Sequence, residues 1–448
     1  MKIKDVFLSV ILTAVLCISG NLFAESYGGG SGTAALPYEI RDPNQMNALG
    51  VNPADWDKHF KLMANIDMSA FTGTSYNIIG KTISLPFTGT FDGNGHVISN
   101  LTYTTTEVVD YLGLFGVTEN AALLNLDIEN VSFSSQSGLI GGLVGLNFYG
   151  SITDCSVTGS ISGTDSYVGG LVGANGHWLT DGGGAITSCT AAVSVSGTGT
   201  GSFFYYLGGL AGLNNGGTLI ACTATGSVNG TGLFAVAGGL VGYNQQGTVT
   251  TCTATGPVSG RGHTGGLVGL NADSGSITSC YATGSVSGAS YVGGLAGYNS
   301  SGSITSSYAI GLVSGTDSFI GGLAGRNNFG SITDCFWNTD TSLQGSSAGG
   351  TGKTTAEMRM LSTFPWDFTT VWAICEGTHY PRLQWQIPVG DFACPNGVSV
   401  EDLQHFAAQW LMENCSAANH CSGADLDLSD NVDLADFAIF AAHWLEGI

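Results

Sequence analysis

The chain has 448 residues, a formal charge of −22, 10% charged residues and 70 glycines. That length is enough for two or three domains. An acidic excess of this size argues against nucleic acid and anionic membrane surfaces as partners.

Residues 1–24 carry Lys2 and Lys4, then an apolar run from residue 6 to 18, then Leu22-Phe23-Ala24 as a cleavage site. This is the pattern of a secretory signal peptide, which predicts a secreted or cell-surface protein. The apolar run is too short for a membrane anchor, Leu16 before Cys17 does not fit a lipoprotein site, and no later segment is long enough to span a membrane. Residues 25–35 are rich in Gly and Ser and read as a linker. Residues 36–110 read as an N-terminal cap with first coils. Asp42 is placed to cap a helix, and Trp56, Phe60 and Met63 are spaced for one helix face. The later part, including residues 87–103, turns β-like.

From residue 111 to 337 one motif returns. Gly-Gly-Leu-Val-Gly-Leu-Asn at 141–147 is followed by copies beginning at Gly169, Gly208, Gly238, Gly265, Gly293 and Gly321. Each keeps Gly-Gly-Leu, then Val or Ala, Gly, a free position and Asn. A period of this length predicts a solenoid. Apolar residues alternate rather than recur at helical spacing, so each unit is predicted to be a coil of three short strands and three corners, piled in parallel at ~4.8 Å per coil. In the coil from Gly265, Cys280, Ala282, Gly284 and Val286 share the inward parity, and a corner falls between Ile277 and Cys280. Stacking would line up Asn147, Asn175, Asn214, Asn244, Asn271, Asn299 and Asn327 as an amide ladder. Glycines would fill the left-handed corners. Cys155, Cys189, Cys222, Cys252, Cys280 and Cys335 occupy one column, with Ser307 in place of the missing member. This reads as a column of small buried residues rather than a metal or disulfide array. Tyr167, Tyr206, Tyr291 and Phe319 read as a structural stack. Between residues 111 and 335 the cations are Arg261 and Arg326.

The repeat resembles the GLUG motif, named for the Gly-Leu-hydrophobic-Gly core. The resemblance covers roughly residues 110–340. It implies a bacterial secreted or surface scaffold, adhesin-like, and implies no reaction. Insertions at residues 176–184 and 200–206 place Trp178, Phe203, Phe204 and Tyr205 on loops, where aromatic rings could meet sugars or cover an apolar edge. Residues 338–388 read as a C-terminal cap. Within it SAGGTGKTT departs from a phosphate loop because Ser347 stands where Gly is needed; Thr354 or Thr355 is better placed to cap a short helix at 356–361.

Residues 389–448 hold a two-fold repeat at an offset of 34: Asp402-Leu403 matches Asp436-Phe437, and Trp410-Leu411 matches Trp444-Leu445. Each copy is a twelve-residue loop followed by a helix. In the second loop, residues 425–436, oxygen donors stand at the six positions a calcium loop uses: Asp425, Asp427, Ser429, Asn431 through its carbonyl, Asp433 through water, and Asp436. Val432 would pair this loop with its partner, and Asp430 stands at the sharp turn where Gly is usual. The first loop runs from Asp391 to Asp402 but has Ala393 and Pro395 where oxygens are wanted, so one Ca²⁺ site is predicted, in the second loop. The pair resembles a dockerin domain, whose loops favour Asp at position 12, although the 34-residue spacing is longer than the family's. That implies attachment to a cohesin-like protein or another surface protein. One disulfide is expected among Cys394, Cys415 and Cys421, for example from Cys394 to Cys415 or Cys421, and spacing alone does not assign the partners.

The fold class predicted is mainly β, a parallel β-helix with caps plus a small α-helical dockerin-like domain. The function predicted is a non-catalytic scaffold with glycans as further partners. The alternative is a carbohydrate-active enzyme or accessory protein carried by a dockerin. Glycoside hydrolysis needs two neighbouring carboxylates. The repeat acids, among them Asp154, Asp334, Asp165, Asp317 and Asp181, are few and scattered, and no catalytic motif stands out.

Overall fold

A computed structural model describes residues 27–136, 138–164, 167–177, 182–199, 204–394, 397–415 and 420–446. The leader, Asp165, Asp181, Trp178, Phe203 and Pro395 therefore lie outside the described residues.

Alternation of small apolar and polar residues produces a parallel β-solenoid of about nine turns. Its walls are sheets of eleven, sixteen, eight and eight strands. Each coil has four sides, not three. In one coil these are Thr264–Gly265, Val268–Ala272, Ser276–Thr278, and then Tyr281–Ala282 with Val286–Gly288 on a shared side. The additional bend lies inside the Gly-Gly-Leu motif, which reads in sequence as one run. The inward parity is as predicted: Ile277, Cys280 and Ala282 are fully buried and Val286 is nearly so. The corner between Ile277 and Cys280 falls at Ser279, which is left-handed at φ 52°.

That corner repeats through the shaft, and glycine does not fill it. Asn125, Asp154, Ser188, Ala221, Thr251, Ser279, Ser306 and Asp334 all sit there with φ between 48° and 52°. The repeated glycines serve close approach instead. A Cβ on Gly247 would lie 2.2 Å from the Asn214 amide nitrogen. The two uses separate because a left-handed backbone only strains an L-residue, whereas a clash with an atom of the next coil excludes one.

At the N-terminal end, Asp42 caps helix α1 (Pro43–Leu49), its carboxylate accepting from Asn44 and Gln45 N–H. The helix face predicted for Trp56, Phe60 and Met63 does not form. His59–Leu62 is a strand, with Phe60 and Leu62 inward and a parallel partner on each side. Register within the sheet overrides the local helical spacing.

At the other end, α2 (Thr339–Ser342) follows the last regular coil, and Thr351–Lys353 adds one strand to the sixteen-stranded sheet. SAGGTGKTT is thus sheet and turn, with Lys353 paired to Glu357 at 3.5 Å. The helix expected at 356–361 is reduced to single turns at Glu357–Arg359 and Leu361–Thr363. The following chain folds back along the outer wall, where Met358, Phe364, Trp372 and Leu383 cover Tyr308 and Phe336. No helix among the described residues is long and apolar enough to cross a membrane.

Candidate functional site

Two features carry side-chain chemistry: the columns inside the shaft and the loop–helix pair after residue 390.

The seven asparagines line up. Each Nδ2 from Asn147 to Asn299 donates to the Oδ1 of the next rung at 2.8–3.0 Å. Each also donates to a carbonyl of its own coil, as Asn244 does to Gly247 at 3.0 Å. An eighth rung was missed: Thr118 donates to Asn147 Oδ1 at 2.9 Å. The signal was present as Gly-Leu-Phe-Gly-Val-Thr at 113–118, a copy with Thr in place of Asn.

The six column cysteines are free and buried. Each thiol faces the carbonyl two residues earlier, as Cys252 faces Thr250 at 3.2 Å. Burial pushes the Cys222 and Cys252 thiols well up, and Cys335 up to about 12, so they stay protonated. A protonated, enclosed thiol is neither nucleophile nor metal ligand. Tyr205, expected on a loop, is inward on Tyr205–Gly208, and its hydroxyl accepts from Gly232 N–H at 2.6 Å. Phe204 is exposed. Asp154 and Asp334 occupy the same corner of coils at opposite ends of the repeats, too far apart to act together.

In the C-terminal pair, α3 (Val400–Ala408) and α4 (Leu434–Ala442) each follow a loop. Ser399 and Asp433 cap them, and Asp402 and Asp436 reach back from the third helical position. Asp436 is fully buried and accepts from Leu426, Asp427 and Asp433 N–H at 2.6–3.0 Å. Asp402 does the same for Phe392, Ala393 and Ser399 at 2.7–2.9 Å. Asp425 accepts from Ser429 and Asp430 N–H, which closes the second loop. Asp430 sits at φ 68°, so the turn wanted there forms without glycine.

Carboxylate oxygens of Asp425, Asp427 and Asp436 lie within 4.8 Å of one another. Ser429 and Asn431 are exposed beside them, and Asp433 Oδ1 is engaged by Ala435 N–H. Residues 389–448 contain no Lys or Arg. His420 Nδ1 lies 3.9 Å from Asp425. Three converging carboxylates without a lysine or arginine are a donor set that fits a hard divalent cation.

Val432 and Val398 do not pair with each other. Each joins the segment that follows a helix: Val432 bonds to Leu411 and Met412, and Val398 to Leu445 and Glu446. Those contacts tie each loop to the end of the helix that follows the other loop, while Val398, Val432, Phe406 and Phe440 form the core. One disulfide does form among Cys394, Cys415 and Cys421, but it does not include Cys394. Cys415 bonds to Cys421, and Cys394 to Cys375 in the preceding segment. Pairing needs Cα atoms within about 4.4–6.8 Å, and these pairs stand at 4.9 and 5.2 Å. The outer face of the two helices is apolar and open. Leu403, Ala407, Trp410 and Phe437 line one shallow groove, and Phe437, Ala441 and Trp444 the next.

The fold and columns define a parallel β-solenoid of a repeat protein. The GLUG-motif family model matches residues 136–162, 235–259 and 260–287, so the shaft carries GLUG repeats. The chain is 34% identical over 151 residues to halomucin of Haloquadratum walsbyi, covering 32% of this chain and 2% of that protein. It is 32% identical over 157 residues to a Gly-rich membrane protein of Evansella cellulosilytica, covering 33% and 17%. The chain thus spans only a small part of the length of these relatives. Among solved structures, an immunoglobulin A1 protease described from Bacteroides ovatus aligns with a TM-score of 0.40 at 22% identity, over 80% of this chain and 96% of that one. A second, an IgA1 protease, aligns at 0.37 and 15%, over 70% and 22%.

Proposed function

We propose that this chain is a secreted or cell-surface scaffold, adhesin-like and non-catalytic, with a C-terminal dockerin-like module that binds one Ca²⁺ and attaches the shaft to a cohesin-like protein. The observation that carries the reading is the two-fold repetition of both a carboxylate-closed loop and an exposed apolar helix face in one small unit. Asp425, Asp427 and Asp436 would hold the ion with Ser429, Asn431 and Asp433. The ion would supply charge neutralisation and fix the loop; it takes part in no reaction. The first loop would be held by Asp402 and by Asp391, which accepts from Gly397 N–H at 2.9 Å. Trp410 and Trp444, each about two-fifths exposed, would bury their rings in the partner. The two relatives, halomucin and a Gly-rich membrane protein, support a surface location. The shaft's hydroxyl-bearing outer ranks, such as Ser276 and Thr278, suit adhesion. No observation favours the enzyme reading.

Calorimetric titration of the full chain tests this. One calcium ion per chain is expected, with a rise in melting temperature that Asp425→Ala removes. Binding to a panel of cohesin domains is expected in calcium, and loss of it in Trp410→Ala/Trp444→Ala. A stoichiometry of zero would refute the calcium site, and calcium binding without any cohesin binding would refute the partner.

A further inference from the structure

The two eight-stranded sheets meet at an angle whose outer side is a re-entrant corner. Its floor is glycine: a Cβ on Gly297 would lie 2.6 Å from Thr264 N, and one on Gly325 2.6 Å from the Phe319 carbonyl. Its walls are two columns of side chains. Tyr206, His263, Tyr291 and Phe319 stand on one wall, and Tyr243, Tyr298 and Arg326 on the other, the second in register through Leu270. The walls touch across the corner, with ring centres of Tyr206 and Tyr243 5.1 Å apart and of Tyr291 and Tyr298 5.7 Å apart.

At its C-terminal end the corner holds Arg326. The guanidinium carbon is 4.9 Å from the Phe319 ring centre, 5.5 Å from Tyr298 and 5.8 Å from Tyr291. Aromatic faces hold a guanidinium electrostatically but accept few of its hydrogen bonds. Only the Tyr291 hydroxyl is engaged, at 3.3 Å. Among the described residues Arg326 has no carboxylate within ion-pair distance. Two coils earlier, His263 Nδ1 is buried and without a hydrogen-bond partner. Burial and the Arg326 charge lower the His263 pKa to about 4, so the ring stays neutral at physiological pH. A planar donor fork thus stands in an aromatic-walled corner, with the neutral His263 ring packed against Tyr291 and Tyr298 beneath it.

The charge of the whole chain limits what can bind. Residues 111–335 hold two cations, Arg261 and Arg326, in a protein of charge −22. Its field repels mobile anions, so attraction to one arginine is insufficient by itself. A ligand must pair its carboxylate with the fork and lay a partly apolar ring against the aromatic walls. We propose that this end of the corner binds a uronic acid residue of an acidic polysaccharide, with Arg326 on the carboxylate, Phe319 and Tyr298 beside the sugar ring, and Tyr291 meeting its hydroxyls. The tyrosine rungs at Tyr243 and Tyr206 extend the corner along the shaft, which suits a chain rather than a single sugar. The inference deepens the adhesion reading and does not depend on the calcium module.

The test is calorimetry of the full chain with a hexameric oligogalacturonate at low salt in EGTA. Chelation removes calcium bridging and any contribution from the C-terminal loops, so failure here leaves the docking reading to its own test. The acid is expected to bind and its methyl ester not to. Arg326→Gln should weaken binding at least tenfold with the melting temperature kept, Arg326→Lys several-fold, and Arg261→Gln less than twofold. The Lys variant keeps a charge in the aromatic cup and decides the matter if the Gln variant does not fold. Equal binding by the Arg326 variants, equally tight binding of hexaglutamate, or no binding by the wild type would overturn the site.

Discussion

Asn244→Ala is expected to lower the stability of the shaft by about 2–4 kcal/mol, because it leaves Asn271 Oδ1 without its donor and one Nδ2–H of Asn214 without an acceptor, at roughly 1–3 kcal/mol each less what entering water restores. Both are partners of Asn244 at 2.8 Å, whereas the Gly247 carbonyl keeps the Ser276 N–H. Asn327→Ala is the control. It ends the ladder, is partly exposed and has a rung on one side only, so about 1 kcal/mol is expected. Asn244→Asp keeps the shape but sets a carboxylate against the Asn271 and Gly247 oxygens, and should cost at least as much as alanine. Urea unfolding followed by far-ultraviolet circular dichroism reads all three. Equal midpoints for Asn244→Ala and Asn327→Ala would show that the ladder is not a continuous buried element.

The second large effect falls on the C-terminal pair. Asp436→Ala removes the acceptor of three backbone N–H groups from a fully buried position. A unit of this size has on the order of 3–8 kcal/mol of stability, and three orphaned donors use up most of it. The loop–helix pair is expected to unfold while the shaft melts unchanged, seen as the loss of one of two thermal transitions. Asp402→Ala should do the same even though its loop lacks the oxygens for a metal, since Asp402 makes the matching bonds. Calcium should not rescue Asp402→Ala. If Asp402→Ala melted like the wild type, the backbone N–H bonds that Asp402 accepts would not be what holds its loop.

The sequence made the shaft legible where one residue must recur at one place. An asparagine every 28 or so positions has a single economical explanation, and the same holds for the cysteine column. What it hid were features that depend on distance rather than period. The fourth side of the coil lies inside a glycine pair that reads as one motif. Thr118 serves as a rung although its identity differs. Phe60 has helical neighbours in sequence but sheet neighbours in space, and Tyr205 sits beside an insertion yet points inward. In the C-terminal pair the carboxylates at positions 1, 3 and 12 were readable because loop chemistry fixes their spacing. The exposure of Trp410 and Trp444 was not, because a two-helix unit has too few neighbours to bury both sides of each helix. The disulfide partners were not legible for a related reason: spacing along the chain does not show that the folded-back segment brings Cys375 to Cys394.

Stacking in phase is the claim on which the shaft, its ladder and its corner all depend, and excision of one repeat tests it most directly. Deleting residues 141–168 joins Ile140 to Gly169, and Ile140 already stands opposite Val168 in the sheet. Every column should close by one rung, leaving the β signal per residue and a cooperative melt intact and the rod shorter by ~4.8 Å. Deleting residues 141–154 joins Ile140 to Cys155 and sets each later side chain against the wrong column, so that variant should not fold. Equal melting of the two deletions, or collapse of both, would contradict coils that stack one directly on the next.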